Sequence, residues 1–342
     1  KIMRFRLFTL FLFLCAVQTQ AQNMQTAWVS GLGGPKTETV DAITVDKWGN
    51  VYTTGYFTDS AVAYLGSDSS MFISGPGTAD AYIAKQNSSG AFEWVKVISS
   101  VPAYDQGKAL ITDKAGNLYV AGVFSGRADF NPGTGAADTF FLESEGKAEA
   151  FVLKLDATGN FVWALSYGST ENDYAGGLAL DQQENLYVAG SFFGRVDFNP
   201  GTGAADTAFI QSVGTGNAAY MLKLTPEGKF VWVRHLGSAG SPSMTAFVNA
   251  VADTFGNIYA VGNYRGDVYY QPGASITTPP LATAYGFYED ILVCKLDTAG
   301  NLGWVAGMGG PDEEEGRDIA VDPYGYVYVT GYFAWEADFD PG

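Results

Sequence analysis

Five tryptophans recur along the chain with a nearly fixed period: Trp28, Trp94, Trp163, Trp232 and Trp304 are separated by 66, 69, 69 and 72 residues. Each sits in a short apolar segment such as Phe161-Val162-Trp163-Ala164-Leu165. A period of this length marks a repeat architecture and constrains the fold more than any other feature of the sequence. A second ladder runs in phase with the first. Asp46, Asp113, Asp181, Asp253 and Asp322 are each followed six residues later by Tyr52, Tyr119, Tyr187, Tyr259 or Tyr328, and nine residues later by Gly55, Gly122, Gly190, Gly262 or Gly331. Between Asp and Tyr lies Gly-Asn in three copies, with Glu184-Asn185 and Gly325-Tyr326 as departures.

Each unit resolves into four strands. In the second, Ala109 to Thr112 and Leu118 to Phe124 flank a tight turn at Asp113 to Asn117, and after a long connection Phe151 to Leu155 and Phe161 to Tyr167 flank a turn at Asp156 to Asn160. Asp opens such turns because its side chain caps their amides, and Gly closes them because it takes positive φ freely. No segment has the length or the 3.6-residue period of a helix. Gly is 43 of 342 residues, aromatics are 15% and charged residues 16%, which agrees with many short strands and disfavours disorder and helical solenoids. Four-stranded units in series predict an all-β propeller. Trp28-Val29-Ser30-Gly31-Leu32-Gly33-Gly34-Pro35 matches Trp304 to Pro311 without a preceding third strand, so residues 26–34 are expected to act as a closing strand. Four blades are then expected over about 38–310 and half a blade over 311–342.

The segments Asp-Lys-Ala-Gly-Asn-Leu-Tyr-Val-Ala-Gly-Val-Phe at 113–124 and Ala-Phe-Val-Leu-Lys-Leu-Asp-Ala-Thr-Gly-Asn-Phe-Val-Trp at 150–163 resemble the SBBP (seven-bladed β-propeller) repeats of secreted bacterial proteins. The likeness covers residues 28 to 342. Asp-Phe-Asn-Pro-Gly at 129–133 and 197–201, and Asp-Phe-Asp-Pro-Gly at 338–342, is similar to the Bacteroidetes version, often followed by a C-terminal type IX secretion sorting domain. The resemblance implies a seven-bladed ring when complete, and says little about chemistry.

Residues 1–21 read as a signal peptide: a basic start with Lys1, Arg4 and Arg6, an apolar run from Leu7 to Val17, and a cleavage site after Ala21. The run is shorter than the roughly 20 residues that a stable span requires, so an exported chain without a transmembrane anchor is expected. The chain is read as a fragment of a longer protein, because it lacks an initiator Met and stops inside a repeat. With 19 Lys+Arg against 36 Asp+Glu, net −17, it repels nucleic acid phosphates. After cleavage Cys294 is the sole cysteine, read as a buried small hydrophobe, and no internal disulfide can form. His235 is the one histidine, which excludes a multi-His metal site and a His-dependent triad within this sequence.

Lys85, Lys154, Lys223 and Lys295 each precede a ladder Trp by nine residues, which across a hairpin places Lys opposite Trp in a structural cation–π pair. Eight residues before each ladder Asp stand Glu38, Asp105, Asp173, Thr245 and Glu314. The four acids are expected either to cap their own blade-to-blade loops or to ring a channel mouth that would suit Ca2+; no other cofactor is implied. The long connections carry Asp129-Phe130, Asp197-Phe198, Tyr269-Tyr270 and Asp338-Phe339. These either tuck into the blade edge or form a repeated face that stacks on sugar rings or anchors a protein. The expected function is non-enzymatic recognition, adhesion or scaffolding at the cell surface, with a glycan or protein partner. The alternative is a carboxylate-dependent hydrolase or lyase at the channel mouth.

Overall fold

The computed structural model describes residues 28–64, 70–75, 78–100, 104–131, 138–199, 207–213, 216–271, 279–284 and 288–339. The expected signal peptide at 1–21 lies outside the described residues. Among them there is no helix, and the chain is an all-β propeller of antiparallel four-stranded units. Blade I is Glu38–Val45, Val51–Phe57, Asp80–Gln86 and Phe92–Ile98, paired in sequence order. Blade II is Gln106–Thr112, Leu118–Phe124, Glu149–Leu155 and Phe161–Tyr167. Blade III is Tyr174–Leu180, Leu186–Phe192, Ala218–Leu224 and the first part of Phe230–Ala252. The rest of that strand opens blade IV, which continues through Ile258–Tyr270, Asp290–Leu296 and Leu302–Met308. Glu314–Val321 and Val327–Phe333 form a two-stranded fifth unit.

The middle strands of blades II and III are buried along their whole length, as in Leu118–Phe124 and Ala218–Leu224, because a blade covers each face. That is why they read as continuous apolar runs instead of alternating ones. Tyr119 and Tyr187 are fully buried, whereas the equivalent Tyr328 of the fifth unit is half-exposed.

The Asp–Tyr–Gly ladder has a mechanical cause. Asp46 Oδ1 accepts the amides of Trp48 and Asn50, while Oδ2 accepts Asn50 Nδ2 and the Tyr52 hydroxyl. Asp181 and Asp253 repeat all four contacts. The turn demands positive φ just before its last residue: Gly49 and Gly256 sit at 83° and 84°, and Glu184 is held at 64° in the same place. The ladder glycine serves a different end. Each innermost strand bulges, between Val40 and Ala42, Gly107 and Ala109, Ala175 and Gly177, Phe247 and Asn249, and Gly316 and Asp318. The bulge drives a carbonyl against the facing strand, so a Cβ on Gly55, Gly122, Gly190, Gly262 or Gly331 would collide with it.

Blades are locked to one another by the Lys–Trp pairs. Lys85, Lys154, Lys223 and Lys295 face Trp94, Trp163, Trp232 and Trp304 in register, as the spacing predicts. The cation–π partner differs. Each Nζ lies 4.7–5.7 Å from the ring of Tyr52, Tyr119, Tyr187 or Tyr259, on the strand at the other side. The indole turns instead toward the next blade, where Trp163 Nε1 and Lys154 Nζ donate to the Pro226 carbonyl, and Trp232 and Lys223 to that of Thr298. Trp28 donates to the Ser88 carbonyl in the same manner, which seats the N-terminal segment against blade I as an outer strand would be. Leu32 and Gly33 then pair with Ala63 and Val62.

Blades III and IV depart from the pattern. Their junction is one continuous strand of 23 residues, Phe230–Ala252, because Leu236 to Ala239 pair with Asp267 to Tyr270 of the blade IV connection. Elsewhere the same contact shrinks to isolated bridges, Ser100 with Ala128 and Gly309 with Asp338.

Candidate functional site

The residues singled out on the connections separate into two groups. Phe130 and Phe198 are buried, packed edge-on against Phe124 and Phe192 at 5.1 and 5.3 Å. They are core residues, the tucked one of the two alternatives, so these two rings form no stacking surface: the short strands Arg127–Asp129 and Arg195–Asp197 fold the following Phe back under the blade. Asp129 and Asp197 cap the same folds, each accepting two backbone amides, from Asn131 and Phe140 and from Asn199 and Ala208. Tyr269 and Tyr270 are partly buried in the pairing with Gly237 and Leu236. Asp338 and Phe339 are exposed in the two-stranded fifth unit, with Phe339 against Phe333 at 5.2 Å.

The four acids before the ladder do not gather around one opening. Asp105, Asp173 and Glu314 are enclosed, each at its own blade junction. Asp105 accepts the Ser100 and Ser125 amides, Asp173 those of Ser169 and Phe193, and Glu314 that of Gly310. Glu38 lies at the entry to blade I and is partly exposed. Among the described residues no group of three or more His, Cys, Asp or Glu side chains could hold a metal ion. Cys294 is buried, and its thiol is pushed up to about 12 by desolvation.

Two surfaces bring together side chains that the fold does not require. The first is a cavity of about 440 Å³ where the innermost strands of all five units converge. It is lined by the extra residue of each bulge: Asp41, Lys108, Gly176, Val248 and Arg317. The turn and latch positions repeat from blade to blade; these do not. Asp41 is held by Lys108 at 3.7 Å and Gln106 Nε2 at 2.9 Å, and Asp318 accepts Asn249 Nδ2 at 2.6 Å. Both acids therefore already have donors, and the cavity presents mixed, partly neutralised charge.

The second surface lies on the insertion hairpins of blades II and III. In the short sheets that pair Arg127 to Asp129 with Phe141 to Glu143, and Arg195 to Asp197 with Phe209 to Gln211, Leu142 and Ile210 point inward and the flanking aromatics outward. Phe141 and Phe209 are 44% and 50% exposed, a large apolar outlay for rings that pack on no core. Over them lie the Arg127 and Arg195 guanidinium groups, 3.5 and 3.8 Å from the ring centroids. The stacking holds each fork open toward solvent beside an aromatic edge. Sequence reasoning missed these four residues and selected the neighbouring Phe130 and Phe198. The alternation in Phe141-Leu142-Glu143 and Phe209-Ile210-Gln211 was the available signal.

No family model matches the chain. Over 257 residues it is 27% identical to an uncharacterized WD repeat-containing protein of Acanthamoeba polyphaga mimivirus, a match that covers 67% of this chain. The chain spans 18% of the length of that relative. The blade geometry and this likeness agree on a β-propeller type repeat protein.

Proposed function

We propose that the chain is an exported recognition scaffold, a propeller of the SBBP type that binds a protein partner across the insertion hairpins of adjacent blades. The observation that carries this reading is the pair of Arg–Phe stacks. They occur at equivalent positions of two neighbouring blades, they are exposed, and neither ring contributes to a core cluster. Arginine and aromatic side chains of this kind dominate binding energy at protein interfaces. Two equivalent stacks on one scaffold also allow bivalent engagement of an extended partner segment. The likeness to a WD repeat-containing protein supports an interaction role. The apolar run at 7–17 supports export, and a complete ring of such blades would cover the exposed face around Tyr328.

The test compares the secreted chain with a Phe141→Ala/Phe209→Ala variant for capture of proteins from the surface of the source cells. Loss of a discrete captured protein, with melting unchanged, supports the reading. Equal capture by both forms overturns it, and binding to a glycan array that depends on the same two rings would replace the protein partner by a sugar. Export is tested by N-terminal sequencing of the secreted product, expected to begin after Ala21.

A further inference from the structure

The blade junctions carry a second repeated pair that spans two units. At every junction one backbone hydrogen bond is the same: the amides of Asp105, Asp173, Thr245 and Glu314 donate to the carbonyls of Ala79, Ala148, Asn217 and Glu289, at 2.8–2.9 Å. Each acceptor immediately precedes the first residue of a third strand, namely Asp80, Glu149, Ala218 or Asp290. The bond therefore brings that first residue alongside the acid of the next blade. At three junctions both are carboxylates, Asp80 with Asp105, Glu149 with Asp173, and Asp290 with Glu314, and all six are at most 4% exposed. Gly168 shows how tightly one pair shares its enclosure, because a Cβ there would strike both Glu149 and Asp173. At the remaining junction, between blades III and IV, both acids are gone together. Ala218 faces Thr245, whose hydroxyl donates to the Leu236 carbonyl and accepts the Ala219 amide.

Two carboxylates in one dry enclosure cannot both ionise without a cation or several donors to stabilise them. Among the described residues Asp105, Asp173 and Glu149 make no ion pair. The groups facing Asp105 are Asp80 and the hydroxyl of Ser100, with the amides of Ser100 and Ser125. Those facing Asp173 are Glu149, Glu171 and the hydroxyls of Tyr167 and Tyr220, and Lys147, which lies close by, is engaged with Glu171 at the surface. Glu149 faces Glu145, Asp173 and Ser166. The fourth-to-fifth junction adds Glu289 beside Arg265, with Glu313 and Glu315 nearby.

We propose that the junctions of Asp105 and Asp173 each hold a proton shared by the buried carboxylates there, so that blade I grips blade II, and blade II grips blade III, more tightly in mild acid than at neutral pH. Burial raises Asp105 and Asp173 to about 6 from the ordinary 3.8, and raises Glu149, with smaller like-charge contributions from Asp80 at Asp105, from Glu171 at Asp173, and from Glu145 and Asp173 at Glu149. Groups raised in the folded state bind more protons folded than unfolded. Their contribution is complete below pH 3.8 and is lost as pH rises through about 6. The junction between blades III and IV, with Ala218 and Thr245, is insensitive in this window.

The test follows equilibrium unfolding of the whole chain from pH 4.5 to 7.5, beside Asp105→Asn/Asp173→Asn. Each pair weakens the folding constant by up to about tenfold per pH unit across its window, and the double variant removes that slope at two junctions. Because Asn substitution also disturbs accepted hydrogen bonds, the slope is compared and not the absolute stability. Infrared titration of the folded chain supplies the second readout: carboxylic C=O absorption persisting to about pH 6 in the wild type and reduced in the variant. Identical slopes, or carboxylic absorption that vanishes by pH 4.5 in both proteins, would overturn the proposal.

Discussion

The turn aspartates and the junction acids are the same chemical group in opposite settings, and a single strand separates them. Asp46 and Asp253 lie at the rim, where burial would raise them. Donors from Asn50, Trp48 and Tyr52, and from Asn257, Phe255 and Tyr259, outweigh it and hold them below the ordinary range. Asp105 and Asp173 sit at the other end of an innermost strand, where burial and a second carboxylate outweigh their donors. The turn acid occurs in all five units because each turn must satisfy its own amides, whatever its neighbours are. The junction acid depends on a residue of another blade, and at the third junction both members change together, to Ala218 and Thr245. Local requirements therefore fix the repeat, and pairwise ones are free to vary by junction.

Several substitutions sharpen that contrast. The largest effect is expected for Gly190→Ala, which forces a Cβ into the Tyr174 carbonyl at the bulge of blade III; a loss of about 3 kcal/mol in chemical unfolding would match an overpacking clash that backbone cannot relieve. Lys154→Met comes next. It removes the donor to the Pro226 carbonyl and the cation 3.9 Å from Asp113, and about 2–3 kcal/mol should be lost, as for a charge-assisted bond in a buried site. If the cost falls below that of Asp253→Ala, then the latch matters less than the turn. Asp253→Ala itself should cost about 1–2 kcal/mol, since the four donors it satisfies regain water in part.

The pH profile joins the two regions. Lowered groups such as Asp46 and Asp253 contribute stability that is present above pH 3.8 and lost as pH falls below it, whereas the raised junction acids lose theirs as pH climbs through about 6. Melting temperature is therefore expected to peak between about pH 4 and 6, and a monotonic rise toward pH 7 would break the contrast. The smallest change in stability, within about 0.5 kcal/mol, is expected for Phe141→Ala and Phe209→Ala, exposed rings whose loss should be felt in binding alone.

Much of this was legible in the sequence. The period placed the strands, the Asp–Tyr spacing placed the turns, and the nine-residue interval put each Lys opposite its Trp. What remained hidden involved a partner outside the hairpin. The tyrosine under each Lys belongs to the strand on the other side, and the Trp163 and Trp232 indoles are drawn away by a carbonyl of the next blade. The pattern around Phe130 left both a tucked and an exposed ring open, and the fold under Arg127–Asp129 decides for the tucked one. Asp80 and Asp105 are 25 positions apart in different blades, so no local pattern links them. The fused strand Phe230–Ala252 was concealed by Gly237-Ser238-Ala239-Gly240-Ser241-Pro242, which reads as a loop.

The claim on which the functional reading rests is that the Arg–Phe hairpins are the contact surface. A photo-crosslinking phenylalanine placed at Phe141, at Phe209 and, as a control, at the exposed Phe255 of a turn tests it on the intact chain. The account expects one discrete crosslinked partner shared by positions 141 and 209 and absent at 255. Crosslinking that is equal at all three positions, or absent at 141 and 209 while present at 255, would contradict it.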